Sequence, residues 1–592
     1  MKNSFLHKQF FKVFRQKFEP KCLINAYKMS SLSFMDMLKL TFKALEFKYE
    51  QSKHTTKIYE VAKTTKGEVK GVKRLTIWGD LYFSFERIPY AKPPLDELRF
   101  RAPVPAESWQ GVLDGTGPAE KPLQTNVIFR KYKGSEDCLY LNVFTKSIKP
   151  EKPKPVMVWI YGGGFQIGEA TRDMYSPDFF MQKDIVLVTI AYRLGPFGFL
   201  CLDDPNLKVP GNAGIKDQIM ALRWVKENIA AFGGDTNNIT VFGESAGGAS
   251  THICLLSEQS KGLVNKGIVM SGSALCSWAN VPNKRWAYRL AKALGYQGED
   301  MDADVYDYLL NTKGTDLVRG NGMVLTKEEK HNRTLFAFVP TVEPYWTEQC
   351  VLSEHPYELL KKTWSNDIPI IIGGTSFEGL IFYPEITRRP ATLDEVKNCK
   401  NLVPTDAGFE RDSEKAEACG LQLKRTYFGD EECSRATMMK FLELNSYREF
   451  WVPIYRTVLA RQRYSTASTY VYRFDYDSRD GNAIRNILCG RDVQGTCHGD
   501  DLCYLFYALF SHKPTKDSKE YEITRTMVDI WTSFAANSDP NCDMLEDLIF
   551  EPVTHDVGDI KCLNISEKIE LVELPGMDQI KVWSQFYAPE KL

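Results

Sequence analysis

Ser245 stands in Gly243-Glu244-Ser245-Ala246-Gly247, with a glycine two residues to either side. A serine hydroxyl is a weak nucleophile until a neighbouring base takes its proton. Activated and held out on a sharp turn, it can attack a carbonyl carbon and carry an acyl group. The preceding run Ile239-Thr240-Val241-Phe242 is apolar and β-prone, and Gly248-Ala249-Ser250-Thr251 suits a helix start. G-x-S-x-G between a strand and a helix is a nucleophile elbow. The pattern alone arises by chance in about one chain in six of this length. It needs an oxyanion hole, a histidine and an acid.

Each of these has a candidate. The β-rich run 156–161 ends in Gly162-Gly163-Gly164-Phe165. A glycine run after a strand lets backbone N–H groups meet a developing oxyanion, each donor being worth about 10²–10³ in rate. The expected donors are Gly163, Gly164 and Ala246, the residue after the nucleophile. Elbow hydrolases run serine, acid, histidine along the chain. Of eight histidines, His7, His54 and His252 come too early or too close, and His331 and His355 precede the best acid. His498, His512 and His555 remain. His498 lies in a strand-to-helix loop, whereas His512 sits in a polar turn, so His498 is the expected base. Glu378 falls just past the apolar strand 368–372, where its carboxylate can hold the imidazole tautomer. Asp475 and Asp477 compete for that role.

The elements that must position these residues alternate. Buried β-rich runs at 156–161, 185–192, 238–242, 267–270, 368–372 and 470–476 are separated by helical patterns such as 217–232. That alternation predicts an α/β fold with a large, mostly parallel central sheet flanked by helices. Antiparallel strands are expected between 67 and 85. No Pro/Gly/Ser-rich linker or repeat divides the chain after the first sixty residues. Residues 61–592 are therefore read as one domain, and 1–60 as an N-terminal extension.

Lys+Arg 75 against Asp+Glu 76 leaves a net charge of −1. That balance gives no electrostatic footprint for nucleic acid. No metal or cofactor motif appears. Fourteen cysteines lack a disulfide spacing pattern and are expected as buried, reduced thiols. Residues 1–28 carry seven Lys or Arg against one acid, without the apolar core of a signal peptide. Phe34, Met35, Leu38, Phe42 and Leu45 then recur at helical spacing. Such a helix either docks on its own domain or lies on a membrane or lipid-droplet surface. The expected location is cytoplasmic rather than secreted, with peripheral lipid contact as the second reading.

These motifs together resemble the type-B carboxylesterase/cholinesterase family over roughly residues 60–590. Phe85-Glu86-Arg87-Ile88-Pro89-Tyr90-Ala91 is similar to its early signature, and Glu136-Asp137-Cys138-Leu139-Tyr140 to its second. Within the family the chain looks most like the insect α-esterases. The resemblance implies an α/β-hydrolase fold, a triad of Ser245, Glu378 and His498, and the same three oxyanion donors. It also implies an aromatic pocket including Trp278 and Phe382. Secreted relatives resemble one another in a disulfide from the second signature to an upstream cysteine. Here Cys138 is preceded only by Cys22, which speaks against a cholinesterase. Juvenile-hormone esterases resemble each other in a Gln where this chain has Glu244. The implied activity is hydrolysis of small-molecule carboxylic esters of broad range, including xenobiotics, with organophosphates as inhibitors. The alternatives are a sequestering esterase of slow turnover, a lipid-ester hydrolase at a membrane or droplet surface, and a non-catalytic binding protein.

Overall fold

The computed structural model of the protein describes residues 34–126, 131–404, 406–407, 409–410, 412–556 and 559–587, with side chains from residue 40 onward. The basic segment 1–28 and the side chains of Phe34, Met35 and Leu38 lie outside that set.

The strands of the N-terminal half are β1 (Thr55–Lys63), β2 (Glu68–Leu75), β3 (Leu81–Pro89), β4 (Val112–Asp114), β5 (Gln124–Thr125), β6 (Tyr132–Lys133), β7 (Tyr140–Thr145), β8 (Lys154–Ile160) and β9 (Val186–Ile190). Those that follow are β10 (Gly234–Glu244), β11 (Lys266–Met270), β12 (Ile370–Thr375), β13 (Thr469–Phe474), β14 (Lys561–Ile565) and β15 (Ile569–Glu573). One sheet runs in the order β1-β2-β3-β7-β9-β8-β10-β11-β12-β13-β14-β15, with β4 beside β2. From β9 to β14 every neighbouring pair is parallel. Antiparallel pairs flank this block at both ends. The separate β5–β6 pair is antiparallel.

The parallel strands are covered on both faces, which is why they read as unbroken apolar runs rather than alternating ones. Val156 to Ile160 and Val186 to Ile190 are buried throughout. Each such Val or Ile side chain contributes about 1.5–3 kcal/mol by leaving water. Helix α1 (Phe34–Lys53) leads into β1, α2 (Ala213–Asn228) precedes β10, and α3 (Ala246–Leu256) follows it. All eleven residues of α3 are buried. Its small residues allow this. A Cβ on Gly247 would lie 2.0 Å from the Ile160 carbonyl, and one on Gly248 would lie 2.3 Å from that of Met270.

The expected strands all exist, with their ends shifted by a few residues. β14 and β15 extend the sheet beyond the strand that leads to His498. β1 crosses residue 60, so the sheet itself begins inside the segment read as an extension. Of the five residues predicted to form the apolar stripe of α1, only Phe42 and Leu45 have described side chains, and a buried anchor falls at Phe47 instead. Phe47 is buried with its ring 5.3 Å from Tyr507, and Lys48 pairs with Asp173 at 2.5 Å. Phe42 is exposed and Leu45 half-buried. No described helix is long and apolar enough to cross a membrane.

Candidate active site

β10 ends at Glu244, and Ser245 turns the chain into α3 with φ 59° and ψ −124°. A non-glycine residue rarely adopts that backbone, and such strain gathers at functional sites. Its surroundings enforce it. The Ser245 N–H donates to the Met270 carbonyl at 2.8 Å. A Cβ on Gly243 would lie 2.4 Å from the Gly247 carbonyl, so neither elbow glycine tolerates a side chain.

The Gly162 run leaves β8 beside this turn. A Cβ on Gly162 would come within 2.8 Å of the Ser245 Cβ. Gly163 and Gly164 take φ of 116° and 60°. Among the described residues, the N–H groups of Gly163, Gly164 and Ala246 donate to no protein acceptor. They are free for a ligand oxygen.

Glu378 follows β12 and is fully buried. Its Oε2 lies 2.5 Å from His498 Nδ1. Its Oε1 accepts from the Ser271 hydroxyl and the Thr375 N–H, both at 2.7 Å. The carboxylate is held from three sides, which fixes the tautomer that leaves Nε2 for chemistry. The His498 loop is pinned to the acid's segment by the Phe377 N–H, which donates to Thr496 O at 3.0 Å. The competing acids are engaged elsewhere. Asp475 pairs with Arg473 at 2.6 Å, and Asp477 pairs with Arg485 and accepts from Gly495 N–H. His512 is exposed, and His555 Nδ1 faces the Gln462 carbonyl.

Glu244 adds a feature that motif reading passed over. Its Oε1 lies 3.0 Å from His498 Nε2. Burial pushes the Glu244 carboxyl up to about 8, with Asp501 and Glu378 adding to the rise and His498 opposing it. Burial disfavours charge on the imidazole too, but Glu244 and Glu378 outweigh it and raise His498 to about 9. The two groups titrate as a pair, because a proton on Glu244 removes one of the charges that hold the other on His498.

Ser245 and His498 open into one cavity of about 490 Å³, a size that suits a small organic ligand. Gly163, Gly164, Trp278 and Phe382 are among the residues that line it, with Leu335, Phe336 and Phe450 besides. Ala246 is buried behind the turn. The Phe450 ring lies 4.6 Å from the His498 imidazole. Glu244 was visible in the motif, and Ser271 follows a strand much as Glu378 does. Phe450, Leu335 and Phe336 carry no local signal, since no spacing links them to the elbow. No cluster of metal-ligating side chains occurs among the described residues. The arrangement suits nucleophilic attack on a carbonyl with the oxyanion received by backbone donors.

Comparison with known proteins agrees with that chemistry. Residues 59–580 match the Carboxylesterase family. Esterase B1 of Culex pipiens is 40% identical over 532 residues, covering 89% of this chain and 98% of that protein. The juvenile hormone esterase of Tribolium castaneum is 33% identical over 539 residues, covering 85% and 90%. A solved juvenile hormone esterase from Manduca sexta, with OTFP covalently attached, superposes with a TM-score of 0.79 at 27% identity. It covers 89% of this chain and 99% of that one. A matched stretch this long takes in nearly the whole sheet, from within β1 to beyond β15, and the chain therefore belongs to the carboxylesterase family as an α/β-hydrolase that hydrolyses carboxylic esters.

Proposed function

We propose that the protein is a carboxylesterase of broad specificity that works through an acyl-enzyme on Ser245. The observation that carries this reading is the Glu378–His498 contact at 2.5 Å, with His498 lining the same cavity as Ser245. Ser245 Oγ attacks the ester carbonyl while His498 Nε2 takes its proton. The N–H groups of Gly163, Gly164 and Ala246 receive the oxyanion. The imidazolium returns the proton to the departing alcohol, and water then attacks the acyl-enzyme by the same route. Glu378 holds the imidazole tautomer and stabilises the imidazolium. An aromatic cavity with few fixed polar groups supports acceptance of varied apolar esters, xenobiotic ones included. Ser245→Ala should abolish hydrolysis of p-nitrophenyl and naphthyl esters; turnover within tenfold of the parent enzyme would overturn the assignment.

Organophosphates fit the same chemistry, because a phosphoryl oxygen can occupy the oxyanion position. Excess paraoxon should block esterase activity and add one dialkyl phosphate to Ser245. Release of one equivalent of product followed by near-arrest would favour the sequestering alternative. All thirteen described cysteines are free thiols, which supports a reducing, cytoplasmic setting. α1 leaves Phe42 and Tyr49 exposed beside Lys43 and Lys53, which supports peripheral contact with a lipid surface. Co-sedimentation with anionic vesicles, lost in Phe42→Ser with Tyr49→Ser, is the measurement for that contact.

A further inference from the structure

Behind the aromatic wall of the catalytic cavity lies a group of ionised side chains that the reaction does not use. Arg333, Glu395, Arg448, Glu449 and Asn445 are each less than one-tenth exposed. Arg448 donates to Glu395 at 2.9 Å, to Glu449 at 3.1 Å and to Asn445 at 2.6 Å. Arg333 donates to Asn445 at 3.3 Å, and its Nε stands 3.9 Å from both Glu395 and Glu449. Two arginines and two glutamates balance one another.

Each side of this group ends on a cavity residue. The Arg333 guanidinium lies 4.7 Å over the Phe382 ring. The Glu449 carboxylate accepts from Ser277 at 3.0 Å, and its carbonyl accepts the Trp278 indole N–H at 3.0 Å. Phe450, the next residue, faces His498. Trp278, Phe382 and Phe450 are thus held from behind by a single network. The turn 447–451 that carries Glu449 and Phe450 is π-helical, and Arg333 has a φ of 57°. Both are uncommon geometries that recur at functional sites.

A second cavity of about 640 Å³ lies on the far side, lined by Ser277 and Arg333 among others. Neighbouring residues therefore face different spaces. Ser277 faces the second cavity and Trp278 the catalytic one. Arg333 faces the second cavity, while Phe382, beneath it, faces the catalytic one. Stability alone is a poor reason for such a group, since apolar residues of the same volume often replace buried ion pairs without loss. The geometry points to Arg333, with Glu395, Arg448 and Glu449, as a partition that fixes how long an ester arm the enzyme accepts, by closing the catalytic cavity against the second one.

The inference rests on the reading that esters bind in the Ser245 cavity. These are positioning residues, acting through Trp278, Phe382 and Phe450. The test is the double variant Arg333→Ala with Glu449→Gln, which removes the cation over Phe382 and the charge on Glu449 while leaving the Arg448–Glu395 pair balanced. Two substrate series are measured, p-nitrophenyl esters from acetate to dodecanoate and alkyl acetates from butyl to dodecyl. In one series the ratio of kcat/KM for the longest to a four-carbon arm should rise at least tenfold. A merely structural role would lower all members together. Unchanged or falling ratios in both series overturn the inference. Should the double variant not fold, Arg333→Met decides alone, because it keeps the length and loses the ionic anchor; a rise of at least threefold supports the partition, and a smaller change overturns it. Ser245→Ala is run in parallel. Retained turnover there would sink the underlying reading, whereas lost turnover with unmoved ratios would sink the partition alone.

Discussion

Glu244 and His498 are two buried groups 3.0 Å apart that compete for protons, and the base must be neutral to act. Since Glu244 and Glu378 hold His498 up to about 9, removing one of those charges lowers the imidazole pKa. The rate rises with pH as His498 loses its proton, so a lower pKa moves the acid limb toward lower pH. Glu244→Gln should therefore shift the acid limb of kcat/KM for a p-nitrophenyl ester downward by about a pH unit or more. An unmoved or raised limb would show that Glu244 does not charge the site. Ser271 acts one bond further out. Ser271→Ala removes one of the hydrogen bonds that hold Glu378, leaving the Thr375 N–H. A bond to a charged group is worth about 1.5–3 kcal/mol, so kcat should fall roughly tenfold or more with KM little changed. A kcat within twofold of the parent enzyme would count against the positioning of Glu378 by Ser271.

The strand–turn–helix from β10 into α3 depends on backbone packed against backbone. Gly247→Ala sets a Cβ against the Ile160 carbonyl at 2.0 Å, and neither partner can yield without moving β8. Urea unfolding should report a loss of about 3 kcal/mol or more, with activity falling alongside. Gly117→Ala is the control, because nothing lies within 4 Å of the added carbon. It should leave stability within about 0.5 kcal/mol. The acid's segment has a similar restriction. A Cβ on Gly374 would lie 2.4 Å from the Glu378 Oε1, so the glycine leaves room for the carboxylate to bend back onto Thr375.

At the level of the molecule, α1 is tied to the domain near the cavity rim. Phe47 packs on Tyr507, and the next residue but two, Phe510, lines the cavity with Ser511. Phe47→Ala should lower stability by about 3 kcal/mol, read as an earlier thermal transition, while kcat/KM at low temperature stays within about twofold. A transition at the parent temperature would mean that the helix is not part of the fold's stability. The described cysteines form no disulfide, so dithiothreitol should leave the melting temperature unchanged. A drop would reveal a bond involving Cys22 or a rearranged pair. The short-range parts of the architecture were legible without coordinates. The apolar runs marked the parallel strands because both faces of each strand are covered. The breadth of the sheet was not, since β14 owes its place to pairing with β13 across more than eighty residues, and β15 joins only as the return strand of β14. α1 was foreseen as a helix, but its buried anchor Phe47 was not in the predicted stripe, because Phe42 and Phe47 are equally apolar and only packing on Tyr507 distinguishes them.

The amino-acid sequence by itself determined the chemistry: a serine between glycines, a glycine run after a strand, and an acid and a histidine after later strands. These features are local, because tight turns and strand ends write their requirements into adjacent residues. Only the tertiary structure decided what surrounds that chemistry. Glu244 facing Nε2, Ser271 on the acid, Phe450 on the imidazole and the ionic wall behind Trp278 and Phe382 bring together residues from distant segments. Their pairing follows from how the sheet and its covering helices pack, and burial then turns close approach into shifted charge and fixed pocket shape.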